Sequence, residues 1–432
     1  MKKLLLAACA LCLTAGAARA ELSVRGSLIA YWIPYQVIQP AAEGAETLSV
    51  SGVGTSGGDQ IEALLDFSGQ LENRRAGFRT QLRVRGGTTF GTHENVLAWV
   101  KLFDWMRIDV GKMKIDDNYA LPVWYFPTLD MFMLKAVRDN DLFSNYEANN
   151  GILLRVTPIK NLALSAFLYK QSALVQGLNS AENPYLAKED AKRAWERIQG
   201  TIAYTIPDVG FARLQYFGTN IEIDSTTHEI TAPRLEAAFA YTGLKNLTLD
   251  VGGKYTFPLK DPVLYNSTSF TETTKPGTYQ APHMVSIGAL YEIKNVGPGS
   301  LLLQGRAGVS FWGWYQEPNK NIRRIGPEVR ASLWPAYKVD TYTFQLGTTL
   351  VYQSDWIAYG RTQLRGGLGY SAGLSVQKTF APGCGIIAGF AYSGGEGIVF
   401  PSDGNYTQPS TADSPGKLAG VFSVPVRFAF FF

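Results

Sequence analysis

The chain has 432 residues, of which 46% are hydrophobic and 12% aromatic; 44 are glycine, and the formal net charge is +4. No run of ~18 apolar residues exists beyond the leader, which excludes a helical membrane protein, and a charge so near neutral gives no footing for nucleic-acid binding. Cys9 and Cys12 sit in the leader and leave Cys384 alone, while His93, His228 and His283 are widely spaced, so no internal disulfide, metal site or cofactor is expected.

The leader comes first. Lys2 and Lys3 precede an apolar run over 4–15, and Ala18-Arg19-Ala20 supplies an A-x-A site. This predicts a secretory signal peptide over residues 1–20, and the run is too short to span a bilayer. Leu6-Ala7-Ala8-Cys9 has the look of a lipoprotein box, but about five apolar residues before the cysteine fall short of the ~7–15 such a leader needs. Without the leader the balance is 37 basic against 36 acidic residues. The remainder, 21–432, offers no linker, Pro/Ser tract or charge block at which to divide it, and is read as a single body.

Strand signals then follow one another. Residues 22–33 alternate Val24, Leu28 and Trp32 against Arg25, Ser27 and Tyr31, and 61–71 set Glu62, Asp66, Ser68 and Gln70 on one face. In 76–85 the even positions Ala76, Phe78, Thr80, Leu82 and Val84 oppose Gly77, Arg79, Gln81, Arg83 and Arg85. Successive strand side chains point to opposite faces. A soluble sheet would bury the apolar face; a transmembrane barrel gives it to lipid and turns the arginines to an aqueous lumen. A loop over 86–94 leads to a hairpin of 95–103 and 105–114, with Lys101, Arg107 and Asp109 inward. Residues 115–150 show no sustained period and carry both carboxylates and aromatics, a mixture too apolar for a disordered tail. Strands at 151–158 and 162–171 come next. Asn183-Pro184 then opens a stretch, LAKEDAKRAWER, expected to form a short helix.

Hairpins continue with 197–205 and 211–220, 234–242 and 247–257, 283–294 and 300–312, 328–336 and 341–353, and 363–379 and 384–393. The final strand, 418–432, places Phe428, Phe430 and Phe432 on one face. Ending on Phe, it resembles the C-terminal strand of bacterial outer-membrane barrels, which implies recognition by the barrel-assembly machinery. Short turns alternate with long loops, the outer-membrane rule. The predicted fold is all-β: a transmembrane antiparallel β-barrel of about 18 strands, or about 16 if two weak ones merge.

Two segments, AWVKLFDWMRIDVGKMKI and NNGILLRVTPIKNLALSAFLY, resemble the hairpin and the post-constriction strand of Gram-negative general porins. The likeness covers about 65 residues plus the last strand, and the family's Pro-Glu-Phe-Gly-type loop tip is missing. The resemblance implies an outer-membrane channel for passive diffusion of small hydrophilic solutes and ions, with both termini periplasmic. It further implies that 115–150 is a third loop folded into the pore, with Asp130, Asp139 and Asp141 facing Arg79, Arg83, Arg85 and Arg155 on the wall. Expected partners are outer-membrane lipids, the assembly machinery and the permeating solutes, with a homotrimer as one assembly. A substrate-specific channel for a sugar or other small nutrient, using Trp312, Trp314, Tyr315, Trp334 and Trp356, is the alternative. His93 lies in no G-x-S-x-G or related context, so no enzymatic activity is expected.

Overall fold

The computed structural model describes residues 20–40, 46–52, 61–85, 89–113, 149–170, 198–218, 222–223, 230–231, 233–260, 263–266, 271–274, 277–311, 313–316, 323–357, 363–398 and 410–431. The leader up to residue 19, loop residues 115–148 with Asp130, Asp139 and Asp141, the helix expected after Asn183, His93's side chain, Arg85's side chain and Phe432 lie outside them.

The main sheet contains 20 segments. One, Leu48–Gly52, is an appendage that pairs with the first strand. Two others, Glu328–Leu333 and Ala336–Val339, are halves of one strand pairing with the same neighbours. What remains is a ring of 18 staves. The first nine are β1 (Ala20–Gln39), β2 (Ile61–Leu71), β3 (Ala76–Arg85), β4 (Thr89–Phe103), β5 (Met106–Met113), β6 (Asn149–Ile159), β7 (Leu162–Lys170), β8 (Ile198–Ile206) and β9 (Gly210–Phe217). Then come β10 (Arg234–Tyr241), β11 (Leu247–Thr256), β12 (Met284–Val296), β13 (Gly299–Ser310), the two-part β14, β15 (Tyr342–Gln353), β16 (Leu368–Ala381), β17 (Cys384–Gly397) and β18 (Gly416–Phe431). Each pairs antiparallel with the next, and β1 pairs with β18 from Ser27↔Phe431 to Gln39↔Gly420, which closes the ring.

The turns set its polarity. Arg74, Asn161, Asp208, Asn246, Asp340 and Gly383 have positive φ and all lie in short connections at one end of the barrel. Asn, Asp and Gly tolerate that region best, so the sequence places tight hairpins there. At Gly210, φ is +152 and a Cβ would come within 1.8 Å of the Ala240 carbonyl oxygen, so only glycine fits. Ala20 and Phe431 lie at this short-turn end as well.

Exposure is inverted relative to a soluble protein. Leu22 is 68% exposed, Ile287 58% and Leu333 53%, while Asp109 and Ser423 are 0% exposed and Gln215 1%. Moving a Leu or Ile out of water is worth about 1.5–3 kcal/mol, so the outer face is built to meet hydrocarbon. At the short-turn end Phe103 stacks on Trp105 with centroids 5.1 Å apart, and at the other end Tyr255 stacks on His283 at 4.6 Å. These rings fit the aromatic girdles of such barrels. Inside, Met113, Leu153 and Phe167 form a small buried cluster with Leu97 packed against it.

Strand ends differ most from the sequence reading in three places. β1 runs through Pro34 because a bulge between Trp32 and Tyr35 absorbs the residue that lacks an N–H. β4 starts at Thr89, inside the expected loop. The ladder shifts register opposite Gln81, whose side-chain oxygen accepts bonds from the backbone N–H (3.1 Å) and side-chain amide (3.0 Å) of Asn95. β16 starts at Leu368 and not at Gln363: Gln363–Leu364 joins a small ladder with Trp356–Ile357, and Leu364 is buried instead of lipid-facing.

Candidate channel wall

The inward face follows from alternation, and it is charged. On β2 and β3 the register sets Gln81 opposite Asp66 and Arg85 opposite Glu62. Arginine side chains reach the diagonal neighbour, one of the two short cross-strand contacts a sheet offers. Arg79 holds Asp66 with a two-pronged grip, Nε to both carboxylate oxygens at 3.0 Å and Nη2 to Oδ2 at 2.6 Å, and Gln81 donates to the same oxygen at 2.9 Å. Arg83 holds Glu62 at 2.5 Å. Planar guanidinium–carboxylate pairs of this kind are directional as well as strong.

The next strands carry a second group. Asp109 accepts from Arg107 Nε at 2.6 Å on one oxygen and from Arg155 Nε at 2.8 Å on the other. The Arg107 guanidinium lies 4.4 Å above the Trp99 ring. Further round, Arg234 pairs with Glu236 at 2.5 Å, Arg306 with Asp250 at 2.6 Å, and Arg330 with Glu328. Outside the spanning strands, Asp355 accepts from Gly366 N at 3.0 Å, Arg365 Nη1 at 2.7 Å and Gln363 Nε2 at 3.3 Å. Arg365 also donates to the Ala412 carbonyl at 3.0 Å, which ties the loop before β18 to the barrel. The N–H of Gly366, and then Arg365, hold the Asp355 carboxyl below its ordinary value of 3.8 against a smaller opposing effect of burial.

Of the residues singled out by sequence, Arg79 and Arg83 lie side by side on β3, and Arg155 lies on β6 with its guanidinium toward Asp109. Arg85 occupies the expected place in the ladder. Phe428 and Phe430 face outward on β18, about half exposed. The carboxylates that grip the wall arginines, Glu62, Asp66 and Asp109, face inward by alternation, which does not match them to partners. Hairpin arithmetic about the 72–75 turn was the signal for the first two. Among the described residues no cluster of His, Cys, Asp and Glu is arranged to hold a metal.

A closed ring of 18 strands, apolar outside and charged within, defines the class: a transmembrane β-barrel lined with polar groups. No family model and no curated protein matches the chain. Among solved structures its neighbours are outer-membrane porins and channels of low identity. The anion-selective porin of Comamonas acidovorans is 11% identical, covering 95% of this chain and 100% of that one, with a TM-score of 0.45. The outer-membrane channel DcaP of Acinetobacter baumannii is 9% identical, with 95% and 97% coverage and a TM-score of 0.45. A trimer form of OmpT of Vibrio cholerae is 13% identical, with 95% and 99% coverage and a TM-score of 0.45.

Proposed function

We propose that this protein is a Gram-negative outer-membrane porin, a water-filled channel for passive diffusion of small hydrophilic solutes and ions, and not an enzyme. The observation that carries this is the inversion itself: leucines outside, carboxylates and guanidiniums inside, around a ring with no free edge. Residues 1–20 act as an export signal. The short-turn end, with both chain ends, is periplasmic, and the C-terminal strand engages the assembly machinery. Residues 115–150 fold inward and set Asp130, Asp139 and Asp141 across the lumen from Arg79, Arg83, Arg85 and Arg155, as charged rings do in other pores. The buried apolar cluster of Met113, Leu153 and Phe167 on the inner face supports an inward-packed segment, since an aqueous wall would not bury it unaided. A homotrimer is the expected assembly.

Planar-bilayer recording tests this. Purified protein should give discrete conductance steps, and deleting the middle of the 115–150 loop should raise their size. Bilayers that stay silent would overturn the channel reading; steps unchanged by the deletion would place the loop outside the pore. A substrate-specific channel for a sugar or other small nutrient is the second reading.

A further inference from the structure

We propose that Lys378, on the outer face of β16 near the short-turn rim, is a binding site for the phosphate of an anionic phospholipid in the leaflet that meets that rim. This deepens the reading of the outer face as lipid-facing and rests on it. Along β16 the exposed positions Tyr370, Ala372, Leu374 and Val376 share the outer face, and Lys378 is the next in that series. Val376 before it is 41% exposed and Phe380 after it 64%, so the lysine interrupts an apolar stripe. A charge on the lipid face of a barrel costs free energy, less toward the interfaces than at the midplane, and a cation kept there calls for an anion. On the lumen face Arg79 and Arg83 have carboxylates to meet, Asp66 and Glu62. Lys378 makes no ion pair among the described residues; the contact its ammonium makes is with an aromatic ring.

That ring holds the ammonium in place. The register sets Lys378 opposite Tyr342 on β15 and Ile386 on β17. Its Nζ lies 3.9 Å from the centre of the Tyr342 ring, well inside the range of a cation–π contact. Tyr342 stacks in turn on Phe344, with centroids 6.3 Å apart and planes 22° off parallel. Lys378 is partly buried, so its methylenes lie on the apolar wall while the charged head reaches toward the rim. It stands three residues before Ala381, where the strand ends. That is roughly 10 Å of extended chain, and less in height because barrel strands are tilted. The depth is that of the headgroup layer, which adds about 5–8 Å to each side of the hydrocarbon core. The tyrosine ring takes one side of the ammonium. Its N–H donors are then left for phosphate oxygens, with the acyl chains running over Phe344 and Val376.

The test uses full-length protein in neutral detergent, titrated with dioleoylphosphatidylglycerol or with dioleoylphosphatidylcholine, while native mass spectrometry counts the lipids bound. Wild type should hold the anionic lipid more tightly than the zwitterionic one. Lys378→Gln should weaken the anionic lipid about fivefold, the effect of one lysine beside an anionic surface, and leave the zwitterionic lipid unchanged. Lys378→Arg should retain the wild-type value. Lys338→Gln removes a cation at the same end from the other face of the wall, where the register sets it opposite Thr343, and should change neither affinity. Should Lys378→Gln fail to assemble, Tyr342→Leu, which keeps the charge and removes the ring beneath it, should weaken the anionic lipid about threefold. Equal affinity for the two lipids, or equal affinity of wild type and variants for the anionic one, overturns the site while leaving the outer face lipid-facing. Wild-type protein that binds neither lipid overturns both.

Discussion

Replacing Asp109 by Asn would remove the carboxylate that Arg107 and Arg155 share and leave two guanidiniums facing each other on adjacent strands. Hydrogen bonds to charged groups are worth about 1.5–3 kcal/mol, so the variant should lose roughly that much stability, read as a lower heat-modification temperature on gels. Neutralising Arg79, Arg83 and Arg85 together should move the reversal potential in a KCl gradient toward the cation side, and raising the salt should shrink the shift by screening. Selectivity unchanged in low salt would remove these residues from the pore. The inward position of Arg79 and Arg83 was legible from alternation alone. Their grip on Asp66 and Glu62 was not, because a guanidinium reaches diagonally and alternation reports only which face a side chain occupies.

At the level of elements, β16 shows where the reading erred. Residues 363–377 alternate cleanly, yet the strand begins at Leu368, because the backbone at Gly366 and Gly367 passes so close to Gln353 and Glu396 that a side chain would clash. What precedes it is a clamp. A carboxyl with a depressed pKa gives its full stabilisation above the ordinary value and loses it as pH falls through and below 3.8, so protonating Asp355 should release Arg365 and the 410–415 segment. Hydrogen-exchange mass spectrometry should show that segment lose protection only as the pH falls below 3.8, and Asp355→Asn should abolish the step. Equal exchange in both proteins would mean that the segment is held elsewhere. The last element can be probed in cells. Phe430→Asp puts a charge on the lipid face of β18, at a cost below the about 2–4 kcal/mol of a Lys or Arg at the bilayer midplane, and should lower outer-membrane yield. Undiminished yield would argue against that face meeting lipid.

For the whole molecule, the strand number and the closed topology were legible because tight turns carry Asn, Asp or Gly and because each spanning segment keeps its period. Far-UV circular dichroism in detergent should be sheet-dominated, and a helical spectrum would contradict the architecture. The loops resisted because they follow no period. Segments such as Thr278–Gln280 and Gly313–Gln316 pair with each other only through contacts made above the barrel. The seam between β1 and β18 carries a consequence in time. Ser27 and Phe431 are joined across roughly four hundred residues, the longest closure in the ring. Such closure is entropically late and slow. Until the C-terminal strand has been made, the growing sheet has two unpaired edges, each a template for the wrong partner. The nascent chain therefore has to be shielded along its whole length, and its final strand is the piece whose arrival ends that exposure.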